Sequence, residues 1–106
     1  MDVVKRKANL IPYLRKNKDI YFYLSRRSKT AKQYPDCFSF WGGGIEEKEI
    51  PEKAMQREIK EELNYMPSKY SYLGKFYDSM PNEKYVYYCE VGNEFEGNIL
   101  RHLFDR

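Results

Sequence analysis

The chain has 106 residues, 42% hydrophobic and 33% charged, which is material for a single domain (residues 1–106) with one core and excludes a wholly disordered chain. No apolar run approaches the roughly 20 residues of a membrane span, and the opening MDVVKRKANLIPYLRK lacks an uninterrupted signal-peptide core, so a cytoplasmic protein away from membranes is expected. The net charge of +3 hides an asymmetry: residues 1–34 carry ten Lys/Arg against two Asp, while residues 44–63 carry seven Glu against four Lys/Arg.

Two cysteines, Cys37 and Cys89, do not make a disulfide framework and are expected to be reduced. One histidine, His102, argues against a histidine metal site or a Ser-His-Asp triad. Acid–base chemistry then falls to carboxylates. A basic first third beside an acidic segment suits a polyphosphate ligand, because cations hold phosphate and carboxylates hold metal. Taken singly, Lys5, Arg6, Lys7 and Lys16 read as solvated surface.

Ala8 to Leu14 reads as a strand, with Pro12 pointing to an edge position or a bulge. Lys16 to Asp19 is a polar turn. Ile20 to Ser25 is β-branched and aromatic-rich, so the two runs form a hairpin. Arg26 and Arg27 open a polar loop that runs to Pro35. In Cys37–Trp41, Phe38 and Phe40 alternate with Ser39, as for a strand with one buried face. Trp41 reads as core or cleft wall before it reads as a base-stacking residue.

Gly42, Gly43 and Gly44 follow, then the acidic loop with Glu46, Glu47 and Glu49. Pro51 suits the first position of a helix. Ile50 then falls at the N-cap, where Ser, Thr or Asp is better by about 1 kcal/mol. Met55, Ile59 and Leu63 recur every four residues and form a buried stripe with Ala54 and Met66. Glu58, Glu61 and Glu62 share the other side of the helix. Glu58 and Glu62 repel each other at this spacing unless a cation sits against them. Oxygen ligands at this density suit Mg²⁺ or Mn²⁺. Pro67 cannot continue the helix. Lys69–Tyr77 and Lys84–Val91 read as tyrosine-rich strands of a second hairpin, their tyrosines mostly half-buried. A loop with Glu94 and Glu96 and a short terminal helix from Asn98 complete the chain.

The stretch WGGGIEEKEIPEKAMQREIKEELNY resembles the Nudix box: a glycine, five residues, a glutamate, seven residues, then Arg-Glu-hydrophobic-x-Glu-Glu-x-Gly-hydrophobic. Gly43 stands as the box glycine, Glu49 as the first glutamate and Arg57-Glu58-Ile59-Lys60-Glu61-Glu62-Leu63 as its core. Asn64 replaces the last glycine. Asparagine is the next best residue for the left-handed geometry that ends a helix, so a small loss of stability is expected rather than a loss of activity.

The resemblance implies an α+β fold, an α/β/α sandwich in which the box helix packs on a mixed sheet. It implies a hydrolase that attacks a phosphorus of a nucleoside diphosphate linked to another moiety, with Mg²⁺ or Mn²⁺ as cofactor. Glu58, Glu61 and Glu62, with the Gly42 carbonyl, are its implied metal ligands. Glu61, Glu58 and Arg57 are the implied catalytic set, with Glu61 as the proton acceptor. Gly43 and the Glu49–Arg57 ion pair are implied to brace the loop. Arg26, Arg27 and Trp41 border the implied substrate cleft as candidate phosphate or base contacts. Glu94 or Glu96 is a candidate extra ligand or base.

The resemblance covers residues 8–97. The closing C-terminal layer looks reduced or missing, as in a shortened chain or a domain completed in a homodimer. The expected partner is a small nucleotide and not nucleic acid. A catalytically weak nucleotide-binding or regulatory module of the same fold is the alternative reading.

Overall fold

A computed structural model describes residues 5–26, 28–30, 32, 35–78 and 82–92. Its centre is β1 (Arg6–Lys16), which has neighbours on both sides. β1 runs antiparallel to β2 (Asp19–Phe22) and to β5 (Trp41–Gly44), and parallel to β7 (Glu83–Glu90). β6 (Ser71–Tyr77) closes the far edge against β7. A separate two-stranded ribbon joins β3 (Ser25–Arg26) and β4 (Phe38–Ser39). The helix α1 (Pro51–Leu63) lies on one face of the main sheet. The fold is thus a mixed sheet with one helix packed on it among the described residues, as expected.

Both hairpins form. The first turns at Asn17, whose φ of 60° is tolerated by asparagine, and Lys16 pairs with Asp19 across it. Pro12, however, lies on a central strand and not at an edge. Its carbonyl accepts from Tyr23 N, so its nitrogen faces the gap where β1 exchanges β5 (paired through Leu10) for β2 (paired from Tyr13). No ladder bond is lost by the missing N–H at that step. On the other side Tyr13 O receives Val91 N at 2.8 Å.

The core lies between the sheet and α1. Ala8, Leu10, Trp41, Tyr87, Cys89 and Val91 meet Ala54, Met55, Ile59 and Leu63, all buried. Met55, Ile59 and Leu63 recur on one helical face, and burying each contributes about 1.5–3 kcal/mol. Met66 does not join them and is 45% exposed, because the helix has already ended at Asn64. Phe38 and Phe40 are exposed too, and Ser39 between them is half-buried. Their alternation is real, but β4 pairs only with the short β3 and never reaches the core sheet. Three of the six hairpin tyrosines, Tyr70, Tyr85 and Tyr88, are half-buried as expected; Tyr72 and Tyr77 are exposed and Tyr87 is buried.

The ends of α1 match the sequence reading. Ile50 is the N-cap in extended backbone (φ −82°, ψ 152°), with no side-chain hydrogen bond. Asn64 is left-handed (φ 49°, ψ 40°) and its N–H reaches Lys60 O at 2.9 Å. No helix among the described residues is long and apolar enough to cross a membrane. The expected terminal helix and the reduced closing layer fall within residues 93–106, outside the described residues.

Candidate functional site

The site is built where the glycine strand β5 passes under α1. Gly43 shows why a glycine is required there. A Cβ at this position would lie 2.6 Å from the Glu58 carboxylate. Gly42 is constrained from the other side: its φ is 140°, and a Cβ would strike the Ala8 carbonyl and stand 2.8 Å from Asn9 Cα. The glycines therefore let the strand fit between β1 and the carboxylates of α1.

Arg57 organises those carboxylates. Its Nε donates to Glu49 Oε2 and its Nη2 to Glu49 Oε1, both at 2.9 Å. Nη2 also donates to Gly44 O at 2.9 Å, and Nη1 to Glu58 Oε1 at 2.9 Å. Glu46 and Glu61 carboxylates stand 3.9 and 3.7 Å from Nη1. Loop, strand and helix are thus tied at one guanidinium, whose planar fork suits bidentate contacts. The Glu49 carboxyl is pulled down to about 2, first by the Arg57 hydrogen bonds and then by the Glu46 backbone N–H. Arg57 is correspondingly held protonated, chiefly by Glu49.

Glu62 reaches the strand as well. Its Oε1 accepts from Gly42 N at 2.8 Å. Glu61 points outward, with its side chain 61% exposed. Glu58 and Glu62 therefore stand over the glycines together and Glu61 stands beside them. Carboxylates and backbone carbonyls are the donor chemistry of a hard divalent cation, and these residues fit one in kind. Among the described residues no three His, Cys, Asp or Glu side chains converge at metal-holding distance.

A cleft of about 440 Å³ opens beside the glycines. Lys7, Asn9 and Lys84 line it from the sheet, with Glu62 from α1 and Ser39 from β4. Lys7 and Lys84 are register partners on parallel strands, so two ammonium groups share this wall. Lys84 also stands 3.5 Å from Asp78. Lys84 and Asn9 were not visible as site residues in the sequence. The signal was the pairing of β1 with β7, which no local pattern carries. Lys7 looked like ordinary solvated surface.

Trp41 and Arg26 do not line this cleft. Trp41 is 2% exposed and its Nε1 donates to Tyr23 O at 3.1 Å, so the ring is core and has no free face for a base. Its reading as a base contact is corrected by that burial. Arg26 is paired with Asp36 at 2.7 Å and lies over the Phe38 ring, so its charge is already engaged. Arg27, Glu94 and Glu96 lie outside the described residues. Cys37 and Cys89 are free thiols, and burial raises Cys89 to about 11, which makes it a poor nucleophile.

A NUDIX domain family model matches residues 4–104. The chain belongs to the Nudix family. No curated protein matches it by sequence. Among solved structures it is similar to a mutT/nudix family protein from Listeria innocua (20% identity, TM-score 0.71, covering 86% of this chain and 67% of that one). It is also similar to a MutT/nudix family protein from Enterococcus faecalis (18% identity, TM-score 0.73, 88% and 39%). A third similar structure is the NUDIX domain of Shewanella oneidensis NrtR complexed with ADP ribose (14% identity, TM-score 0.71, 87% and 63%). NrtR has also been solved with a 27mer DNA. The chain thus spans between 39% and 67% of these three structures' own lengths, and at such identities the likeness is one of fold. The family is one of hydrolases of nucleoside diphosphates linked to another moiety.

Proposed function

We infer that this Nudix domain is a divalent-metal-dependent hydrolase that cleaves a pyrophosphate bond in a nucleoside diphosphate linked to another moiety. The observation that carries this reading is the Arg57 hub. One guanidinium fixes Glu49, Glu58 and the Gly44 carbonyl while Glu58 and Glu62 sit over the glycine strand at the rim of a cleft.

Glu58, Glu61 and Glu62, with the Gly42 carbonyl, are the residues that would hold Mg²⁺ or Mn²⁺. When bound, such an ion polarises phosphoryl oxygens and lowers the pKa of bound water. Lys7 and Lys84 on the cleft wall offset the remaining phosphate charge. Glu61, the most exposed of the three carboxylates, is the one that would accept the proton of the attacking water. Arg57 is a positioning residue: it keeps Glu58 oriented and Glu49 ionised.

The test is hydrolysis of a panel of nucleoside triphosphates, ADP-ribose, nucleotide sugars and dinucleoside polyphosphates with Mg²⁺ and then Mn²⁺. Turnover should require metal and disappear in Glu61→Gln with the fold intact. Unchanged product release in that variant would remove Glu61 from its role.

A second reading is a catalytically weak nucleotide-binding or regulatory module. Two observations favour it: no three carboxylates converge among the described residues, and NrtR is a fold relative solved with DNA. It predicts nucleotide binding with no metal-dependent turnover anywhere on the panel.

A further inference from the structure

Phe40 stands where the chain enters the glycine strand. Trp41 beside it is buried in the core under α1, and successive side chains of an extended chain point to opposite sides. Phe40 therefore falls on the side of Gly42 and Gly44, which is also the side of Asn9 and Lys7, their register partners on β1. There it lines the 440 Å³ cleft and is 40% exposed. Every other residue of that lining is polar or a glycine.

A single exposed phenylalanine on a convex surface needs no explanation. Phe40 sits instead in a concave polar site, and its ring is bare. Its neighbour Phe38 has the Arg26 guanidinium over its ring at 5.8 Å. Among the described residues no cation and no second ring lies over Phe40. The backbone is nonetheless pinned on both sides. Ser39 pairs with Ser25 across the ribbon, which Arg26 and Asp36 close at 2.7 Å, and Trp41 donates from the core to Tyr23 O. An aromatic face held in this way offers contact area without an ordering cost on binding.

The far end of the cleft says what the ring meets. Lys7 and Lys84 are neighbours there and attract an anion. From Gly44, opposite Lys7, to Phe40 is about 13 Å of extended chain, and the cleft side of it is bare because Gly42 and Gly44 have no side chains. The ligand that matches has an anionic end, a polar spacer and a flat end with apolar faces. Phosphates, ribose and base come in that order.

We propose that Phe40 is the base-stacking residue of this cleft. The nucleobase of the substrate lies on the Phe40 ring while Lys7 and Lys84 hold the phosphates, and the glycine strand forms the floor between them. This rests on the nucleotide reading of the cleft and adds to it an orientation and a preference for substrates that carry a base. Stacking tolerates any base, since every base has a π-face, so purines and pyrimidines both bind.

The experiment is calorimetric binding to the full chain in Mg²⁺ of α,β-methylene-ADP, α,β-methylene-UDP and methylenediphosphonate. The carbon bridge between the phosphorus atoms excludes cleavage, and the third ligand has the phosphorus groups without a nucleoside. Phe40→Leu, apolar and close in size, should weaken both nucleotides by about 5-fold or more, the least that loss of a base–aromatic stack is worth, and leave methylenediphosphonate unchanged. Phe40→Tyr, which keeps the ring, should bind all three as the unaltered chain does. Lys84→Met should weaken all three.

Equal losses for all three ligands in Phe40→Leu overturn the proposal, as does a Phe40→Tyr variant as weak as Phe40→Leu. Binding of all three with no response to Phe40→Leu overturns it while the nucleotide reading stands. Failure of all three to bind the unaltered chain overturns both. Base-dependent binding without hydrolysis of any nucleotide would support the assignment of Phe40 and sink only the hydrolase reading.

Discussion

Arg57 holds Glu49 by two nitrogens at once, Nε on Oε2 and Nη2 on Oε1, both at 2.9 Å, and the same Nη2 reaches the Gly44 carbonyl. One side chain thus closes the acidic loop, the glycine strand and α1 into a unit. Lysine cannot reproduce this, since its single ammonium has no fixed fork. On the proposed reading, in which Glu58 holds metal, Arg57→Lys should lower kcat/KM about 10- to 100-fold. Steady-state hydrolysis checks it, with circular dichroism to show that the fold persists. Activity within twofold of the unaltered chain would mean that the brace is dispensable.

The same pair gives a pH dependence. Glu49 stands near 2 in the folded chain against an ordinary 4.5, chiefly because Arg57 donates to it. Its folded pKa is depressed, so its contribution to stability is present above about pH 4.5 and is lost as pH falls toward 2. Urea midpoints measured between pH 6 and pH 2.5 should fall more steeply for the unaltered chain than for Glu49→Gln. Parallel curves would show that the ion pair does not contribute in solution.

Gly43 faces a collision of another kind. A methyl at this position would stand 2.6 Å from the Glu58 carboxylate, and the neighbour that must give way is a flexible side chain. Gly43→Ala should therefore fold, with Glu58 displaced from the strand. Hydrolysis should drop by at least about tenfold while the urea midpoint moves little, since the change is at a functional contact and not in the core. A large loss of stability with unaltered specific activity would place the strain in the strand instead.

Much of this was legible beforehand, for identifiable reasons. The box spacing located Arg57, Glu49 and the carboxylates because their geometry is local: a loop, a turn and one helix. Asn64 in its left-handed cap and Pro51 at the helix start were readable for the same reason. What escaped was non-local. The parallel register of β1 with β7 places Lys84 beside Lys7, and the antiparallel register with β5 places Asn9 against Gly42. Pro12 misled because the edge rule concerns the N–H, and here the N–H side opens onto the gap between two partner strands. Phe38 and Phe40 misled because a period of two marks a strand without saying which sheet receives it.

Ile50 gives the last prediction. It caps α1 with an extended backbone and no side-chain acceptor, and its own side chain is 55% exposed. Its carbonyl already receives Ala54 N at 3.0 Å, so the turn is formed and only the side-chain cap is absent. A hydroxyl at this position can accept from the first-turn N–H groups, and little buried apolar surface is given up for it. Ile50→Ser should raise stability by about 1 kcal/mol. Urea unfolding at constant m-value reads this as a higher midpoint. Hydrolysis should not change, because Ile50 lies outside the Arg57 hub and does not line the cleft. A lowered midpoint would show that the isoleucine side chain contributes packing that its exposure does not suggest, and a lowered turnover would tie the helix start to the chemistry.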